Sequence, residues 1–124
     1  MTIRKSKKKV LLIDDDQAIL TSISSYLELE GYEVLSALGG KEGLQKSQEP
    51  GVDVIVLDIM MPEMDGYQVV RELRRAPETS RIPVIFLTAK DTDGEVMTGW
   101  QRGAVAYITK PFDFPVLLRE IEKC

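Results

Sequence analysis

Val54-Ile55-Val56-Leu57-Asp58 decides the fold. A short apolar run rich in β-branched residues, closed by a lone carboxylate, has the composition of a strand covered on both faces rather than the alternation of a half-exposed one. Three other runs repeat it: Val10-Leu11-Leu12-Ile13, Val84-Ile85-Phe86-Leu87 and Val105-Ala106-Tyr107-Ile108. A weaker fifth occupies residues 33–37.

Helical spacing fills the intervals. Ile19, Ile23 and Leu27 stand at i, i+4 and i+8 ahead of Gly31, Val69, Val70 and Leu73 share a face, and Leu117, Leu118 and Ile121 repeat the pattern near the end. Residues 40–47 are a poor helix with Gly43 inside it, closed off by Pro50-Gly51, and residues 93–102 are weakened by Gly94 and Gly99. Strands alternating with helices five times over predict βα units with right-handed crossovers. The fold class is therefore α/β, an open (βα)5 doubly wound sandwich on a mostly parallel sheet. Such sheets carry their working residues just past the carboxyl ends of the strands.

Every strong run ends in a chemically useful residue: Asp14-Asp15-Asp16, Asp58, Thr88-Ala89 and Lys110-Pro111. An aspartate after a strand is commonly only a cap or turn residue, and Asp16 is read as the N-cap of the first helix. Together the residues say more. Several carboxylates drawn close repel one another unless a hard, oxygen-preferring cation such as Mg2+ sits among them. Mg2+ keeps room for phosphate oxygens, so one aspartate can be ligand and nucleophile at once. A lysine and a hydroxyl then suit the remaining oxygens of a transferred phosphoryl group.

Asp14-Asp15 after a strand, Asp58 in Leu-Asp-Ile-Met-Met-Pro-Glu-Met-Asp-Gly, Thr88-Ala89 and Tyr107-Ile108-Thr109-Lys110-Pro111-Phe112 closely resemble the receiver family of two-component response regulators. The resemblance runs from about Lys9 onward, which sets the receiver domain at 9–124 after a basic, flexible arm at 1–8. It implies a flavodoxin-like, five-stranded sheet in the order 2-1-3-4-5. It also implies that Asp58 accepts a phosphoryl group from the phosphohistidine of a sensor kinase or phosphotransfer protein. Asp14, Asp15, Asp58 and the Met60 backbone carbonyl are the implied ligands of Mg2+, with Mn2+ as a substitute. Thr88 and Lys110 hold the phosphoryl group, a cis Lys110-Pro111 bond is expected, and Pro62 and Gly66 are turn and helix-start residues.

By the same resemblance, phosphorylation draws the Thr88 hydroxyl toward the phosphate and Tyr107 turns inward. Met97, Trp100, Tyr107 and Leu118 form the expected surface for an output partner or a homodimer. Gly103-Ala104-Val105-Ala106 lacks the acidic pair usual there, which puts interface salt bridges in doubt. Met60 and Lys90 occupy variable positions that tune hydrolysis of the acyl phosphate. An apolar Met60 orients water poorly, so loss of phosphate over minutes or longer is expected.

Composition narrows the classes. The chain of 124 residues, 44% hydrophobic, is one domain in size, and no apolar run approaches the roughly 20 residues of a membrane span. With no histidine, it can receive a phosphoryl group from phosphohistidine but cannot be that donor. The lone Cys124 forms no intrachain disulfide, and a net charge of −4 opposes a nucleic-acid surface, although Arg4, Lys5, Lys7, Lys8 and Lys9 crowd the start. A cytoplasmic signalling domain is expected, not an enzyme beyond its own phosphorylation and dephosphorylation, and an end at Cys124 reads as about one helical turn short. Two alternatives compete. In a haloacid-dehalogenase-type phosphatase, Asp14-Asp15-Asp16 is the nucleophile motif, but a second downstream acidic motif and more chain are wanted. A receiver-shaped binding module without chemistry is opposed by the complete set of Asp14, Asp15, Asp58, Thr88 and Lys110.

Overall fold

Alternate residues of the inner strands face opposite helical layers, which is why their sequences are apolar throughout. The computed structural model describes residues 8–88 and 106–124. Within them run β1 (Lys9–Asp14), α1 (Gln17–Leu29), β2 (Glu33–Leu38), α2 (Gly40–Lys46), β3 (Val52–Asp58), α3 (Gly66–Arg75), β4 (Val84–Thr88), β5 (Ala106–Thr109) and α4 (Phe114–Lys123). Lys90 and residues 93–102, with Met97 and Trp100, lie outside the described residues, as do Val105 and the arm through Lys7. The strands form one parallel sheet in the order β2-β1-β3-β4-β5, the order that the resemblance implies.

Two cores sit on the two sides. Val10 and Leu12 of β1, Val54 and Val56 of β3 pack with Leu20, Ile23 and Leu27 of α1 and Leu117 and Ile121 of α4. Leu11, Ile13, Ile55, Leu57 and Phe86 pack with Val69, Val70 and Leu73 of α3. The buried line of α1 starts at Leu20 rather than Ile19, which is only partly buried. This i, i+3, i+7 line meets the sheet more squarely than the i, i+4, i+8 spacing.

Local signals end the helices where side chains satisfy free backbone groups. The Asp16 carboxylate accepts the Ala18 and Ile19 amides and so caps α1. At its other end Gly31 takes φ 97°, with the Tyr32 amide donating to Leu27 and the Gly31 amide to Glu28, a Schellman closure. Asp65 caps α3 in a reciprocal box with Gln68. These caps matter because α1 and α3 both begin directly after loops that leave the carboxyl edge of the sheet.

Candidate functional site

Register alone gathers the chemistry. Ile13 pairs with Leu57, so Asp14 and Asp58 leave β1 and β3 side by side. Asp58 pairs with Leu87, which puts Thr88 one step further along β4, and Thr88 pairs with Thr109, which puts Lys110 one step beyond β5. The Lys110 amide donates to the Thr88 carbonyl at 2.8 Å, and the Lys110–Pro111 peptide bond is cis, as the resemblance implies.

Carboxylate oxygens of Asp14, Asp15 and Asp58 lie within 4.8 Å of one another, the first and last from buried residues and Asp15 from an exposed one. Lys110 Nζ stands 3.4 Å from Asp14 Oδ2 and 3.4 Å from Asp58 Oδ1. Both distances are long for a directed hydrogen bond, so the ammonium acts as a counter-charge shared by two carboxylates. The Asp16 amide donates to Asp14 Oδ1 at 2.9 Å and the Met60 amide to Asp58 Oδ1 at 3.3 Å, which orients both side chains.

Burial, and next the charge of Asp14, push the Asp58 carboxyl up to about 6, with Lys110 and the Met60 amide opposing. Burial also raises Asp14, against the Asp16 amide and Lys110. The donor set is all oxygen, hard and anionic, and among the described residues Lys110 alone offsets it, which fits Mg2+ or Mn2+ and does not favour a soft metal.

The loop after Asp58 is held by backbone bonds. The Ile59 amide donates to the Leu87 carbonyl at 3.1 Å and the Gly66 amide to the Ile59 carbonyl at 2.9 Å. A Cβ on Gly66 would lie 2.8 Å from the Asp58 carbonyl oxygen and 2.9 Å from Ile59 Cα, so the α3 start approaches Asp58 as closely as a backbone can. Met60 is 58% exposed at the mouth. A cleft of about 320 Å³ lined in part by Asp15, Lys41, Pro62 and Met64 opens beside the carboxylates.

A family model described as the response regulator receiver domain matches residues 10–122. The chain belongs to that family.

The receiver is 41% identical over 105 residues to the alkaline phosphatase synthesis transcriptional regulatory protein PhoP of Bacillus subtilis, covering 85% of this chain but 43% of that protein. It thus spans less than half the length of that relative. Protein PilH of Pseudomonas aeruginosa is 37% identical over 113 residues, with 91% of this chain and 93% of that protein covered. Among solved structures, the receiver domain of a sensor histidine kinase from Pseudomonas aeruginosa PAO1, with a magnesium ion coordinated in its active-site cleft, superposes with a TM-score of 0.84 at 30% identity, covering 94% of this chain and 95% of that one.

Thr88 is buried at the end of β4. The Tyr107 ring lies 5.3 Å from that of Phe86 with its hydroxyl oxygen buried, so it faces inward in this structure. Leu118 is half-buried against the α1 and α4 core, while Met97 and Trp100 of the expected partner face lie outside the described residues. Sequence reading missed Tyr67 and Phe86 as neighbours of the site. Their only signal was an aromatic at the start of a helix and another two residues before Thr88.

Proposed function

We propose that the receiver takes a phosphoryl group onto Asp58 from the phosphohistidine of a sensor kinase or phosphotransfer protein, and signals by a change of packing. The arrangement of Asp58, buried beside Asp14 with Lys110 Nζ 3.4 Å from both, carries this reading. The carboxylates of Asp14, Asp15 and Asp58 and the Met60 carbonyl would hold Mg2+ or Mn2+. Either ion supplies positive charge to offset the carboxylates and the phosphoryl oxygens.

An Asp58 oxygen attacks phosphorus, a P–O bond forms, and the P–N bond breaks with its electron pair returning to the donor's imidazole. Transfer of this kind needs positioning and charge neutralisation more than covalent help. Lys110 neutralises charge on the transferred oxygens, and the Thr88 hydroxyl donates a hydrogen bond to one of them. Contacts to Thr88 and Lys110 that form only with the phosphoryl group present then favour a packing in which Tyr107 is held inward. An output domain, an output protein or a second copy reads that packing on the face bearing Tyr107 and Leu118. Among the described residues no helix is long and apolar enough to cross a membrane, and we place the chain's work in the cytoplasm beside its kinase.

Incubation with acetyl phosphate and Mg2+, followed by intact-mass measurement, tests this. One added phosphate, absent when EDTA removes the Mg2+ before the phosphodonor is added and absent in Asp58→Asn, is expected. A folded wild-type chain that gains no mass from either acetyl phosphate or a phosphorylated histidine donor overturns it.

A further inference from the structure

Phe86 is completely buried in β4 and pairs across the sheet with Leu57 on one side and Tyr107 on the other. Its ring makes an edge contact with Tyr67 (centroids 5.3 Å, 69°) and a tilted face contact with Tyr107 (5.3 Å, 31°). Its Cε1 would lie 3.0 Å from a Cβ on Gly66, the residue whose Cβ would also meet the Asp58 carbonyl. Thr88 stands two residues further along the same strand and so projects to the same side of the sheet. One ring thus meets a tyrosine in the first turn of α3 and the tyrosine of β5, and lies against Gly66, whose backbone in turn lies close to that of Asp58.

We infer that Phe86 is a positioning residue for Tyr107. Its ring, braced by Tyr67, is the surface on which Tyr107 lies inward, and it ties that position to the backbone on either side of the Asp58 loop. The physical basis is the preference of aromatic pairs for tilted and edge contacts over aliphatic ones of equal area. An aliphatic residue of similar bulk fills the site but offers Tyr107 no such partner. The three rings also lie in one packed layer with Leu57 and Val69, so displacement of the loop after Asp58 shifts Phe86 rather than being absorbed by a void. The inference deepens the phosphoacceptor reading only in its last step, the link to Asp58.

The test labels the intact chain with 3-fluorotyrosine and follows the Tyr107 resonance by fluorine NMR, assigned by its loss in Tyr107→Phe. In the wild type without phosphodonor, a ring-current-shifted resonance with little solvent isotope effect is expected. In Phe86→Leu the inward population should fall roughly two- to tenfold, while Tyr67→Phe, which keeps the bracing ring, should leave it unchanged. Acetyl phosphate and Mg2+ should still add one phosphate to Phe86→Leu, so that the change in Tyr107 is not a loss of the acceptor site. A solvent-exposed Tyr107 resonance in the wild type overturns the inference without recourse to any variant, and so does an unchanged resonance in folded Phe86→Leu. Absence of phosphate uptake by the wild type counts against the proposed function alone, because the first comparison does not depend on it.

Discussion

Asp14 and Asp58 leave adjacent strands in register, and each has an oxygen 3.4 Å from the same ammonium of Lys110. One cation therefore serves two buried anions, and the pair is electrostatically strained.

The strain has a sign that can be measured. Asp58 is held at about 6 against an ordinary 3.8, mainly by burial and then by Asp14. The folded chain therefore keeps a proton that the unfolded chain releases between those values, and stability falls as pH rises through that window. The contribution of Asp58 is fully present below about pH 4 and lost by about pH 7. Asp58→Asn removes it. In metal-free urea titrations the variant should equal the wild type near pH 4 and exceed it by about 1–3 kcal/mol at pH 7.5. A variant less stable than the wild type at pH 7.5 contradicts this.

Lys110→Ala acts in the opposite direction. It leaves Asp14 and Asp58 facing each other with no shared cation, and removing one partner of a buried charge group costs more than the pair contributes. Because Lys110 is partly exposed, a loss of about 1–2 kcal/mol at pH 7.5 is expected rather than the full buried-pair value. In an Asp58→Asn background the same substitution should cost clearly less. Equal costs in the two backgrounds would show that Lys110 stabilises by packing alone.

Magnesium should relieve the same strain. Binding to the folded chain alone adds about 1.4 kcal/mol at tenfold the dissociation constant. Thermal unfolding of the wild type is therefore expected to move upward with Mg2+ and not with KCl of equal ionic strength. Asp15→Asn and Asp58→Asn should each blunt the response. An identical rise in Asp58→Asn would remove that carboxylate from the ligand set.

Legibility in the sequence followed burial. β1, β3 and β4 lie inside the sheet, so their runs were unmistakable. β2 is an edge strand with Glu33 and Leu38 exposed, and its signal was correspondingly weak. Gly43 read as a defect in α2, yet a Cβ there would come within 2.5 Å of Ile13 Cδ1, so the glycine permits close packing of helix on sheet. That contact joins residues 30 apart and has no local trace. The carboxylates, Thr88 and Lys110 were legible because each terminates a strand. The Phe86 contacts depend on register across three strands, which a single sequence does not display.

Gly66→Ala tests how tightly the α3 start is coupled to Asp58. The added methyl would press on the Asp58 carbonyl, Ile59 Cα and the Phe86 ring, two of which are backbone and cannot turn aside. Overpacking of this kind costs about 1–3 kcal/mol. Ordinary helix propensity predicts the reverse, since alanine normally improves on glycine by about 1 kcal/mol. Urea denaturation separates the two, and a variant as stable as the wild type would mean that the loop yields. If it yields by moving Asp58, phosphate uptake slows although stability is kept.

Met60 is expected to set how long a phosphoryl group on Asp58 lasts. Its side chain is 58% exposed at the mouth of the site, and its amide already holds Asp58 Oδ1. A thioether neither accepts a proton from water nor orients it, so the acyl phosphate on Asp58 should persist for minutes or longer. Glutamate at this position places a carboxylate where attacking water must pass, and general-base assistance is typically worth about 10²-fold or more when geometry is ideal. On a flexible, half-exposed side chain a smaller gain of about threefold to tenfold is expected. Loss of the added phosphate, followed by intact mass after removal of acetyl phosphate, measures it directly. Wild-type decay within seconds, or Met60→Glu decay no faster than wild type, would show that access of water to Asp58 is set elsewhere in the loop.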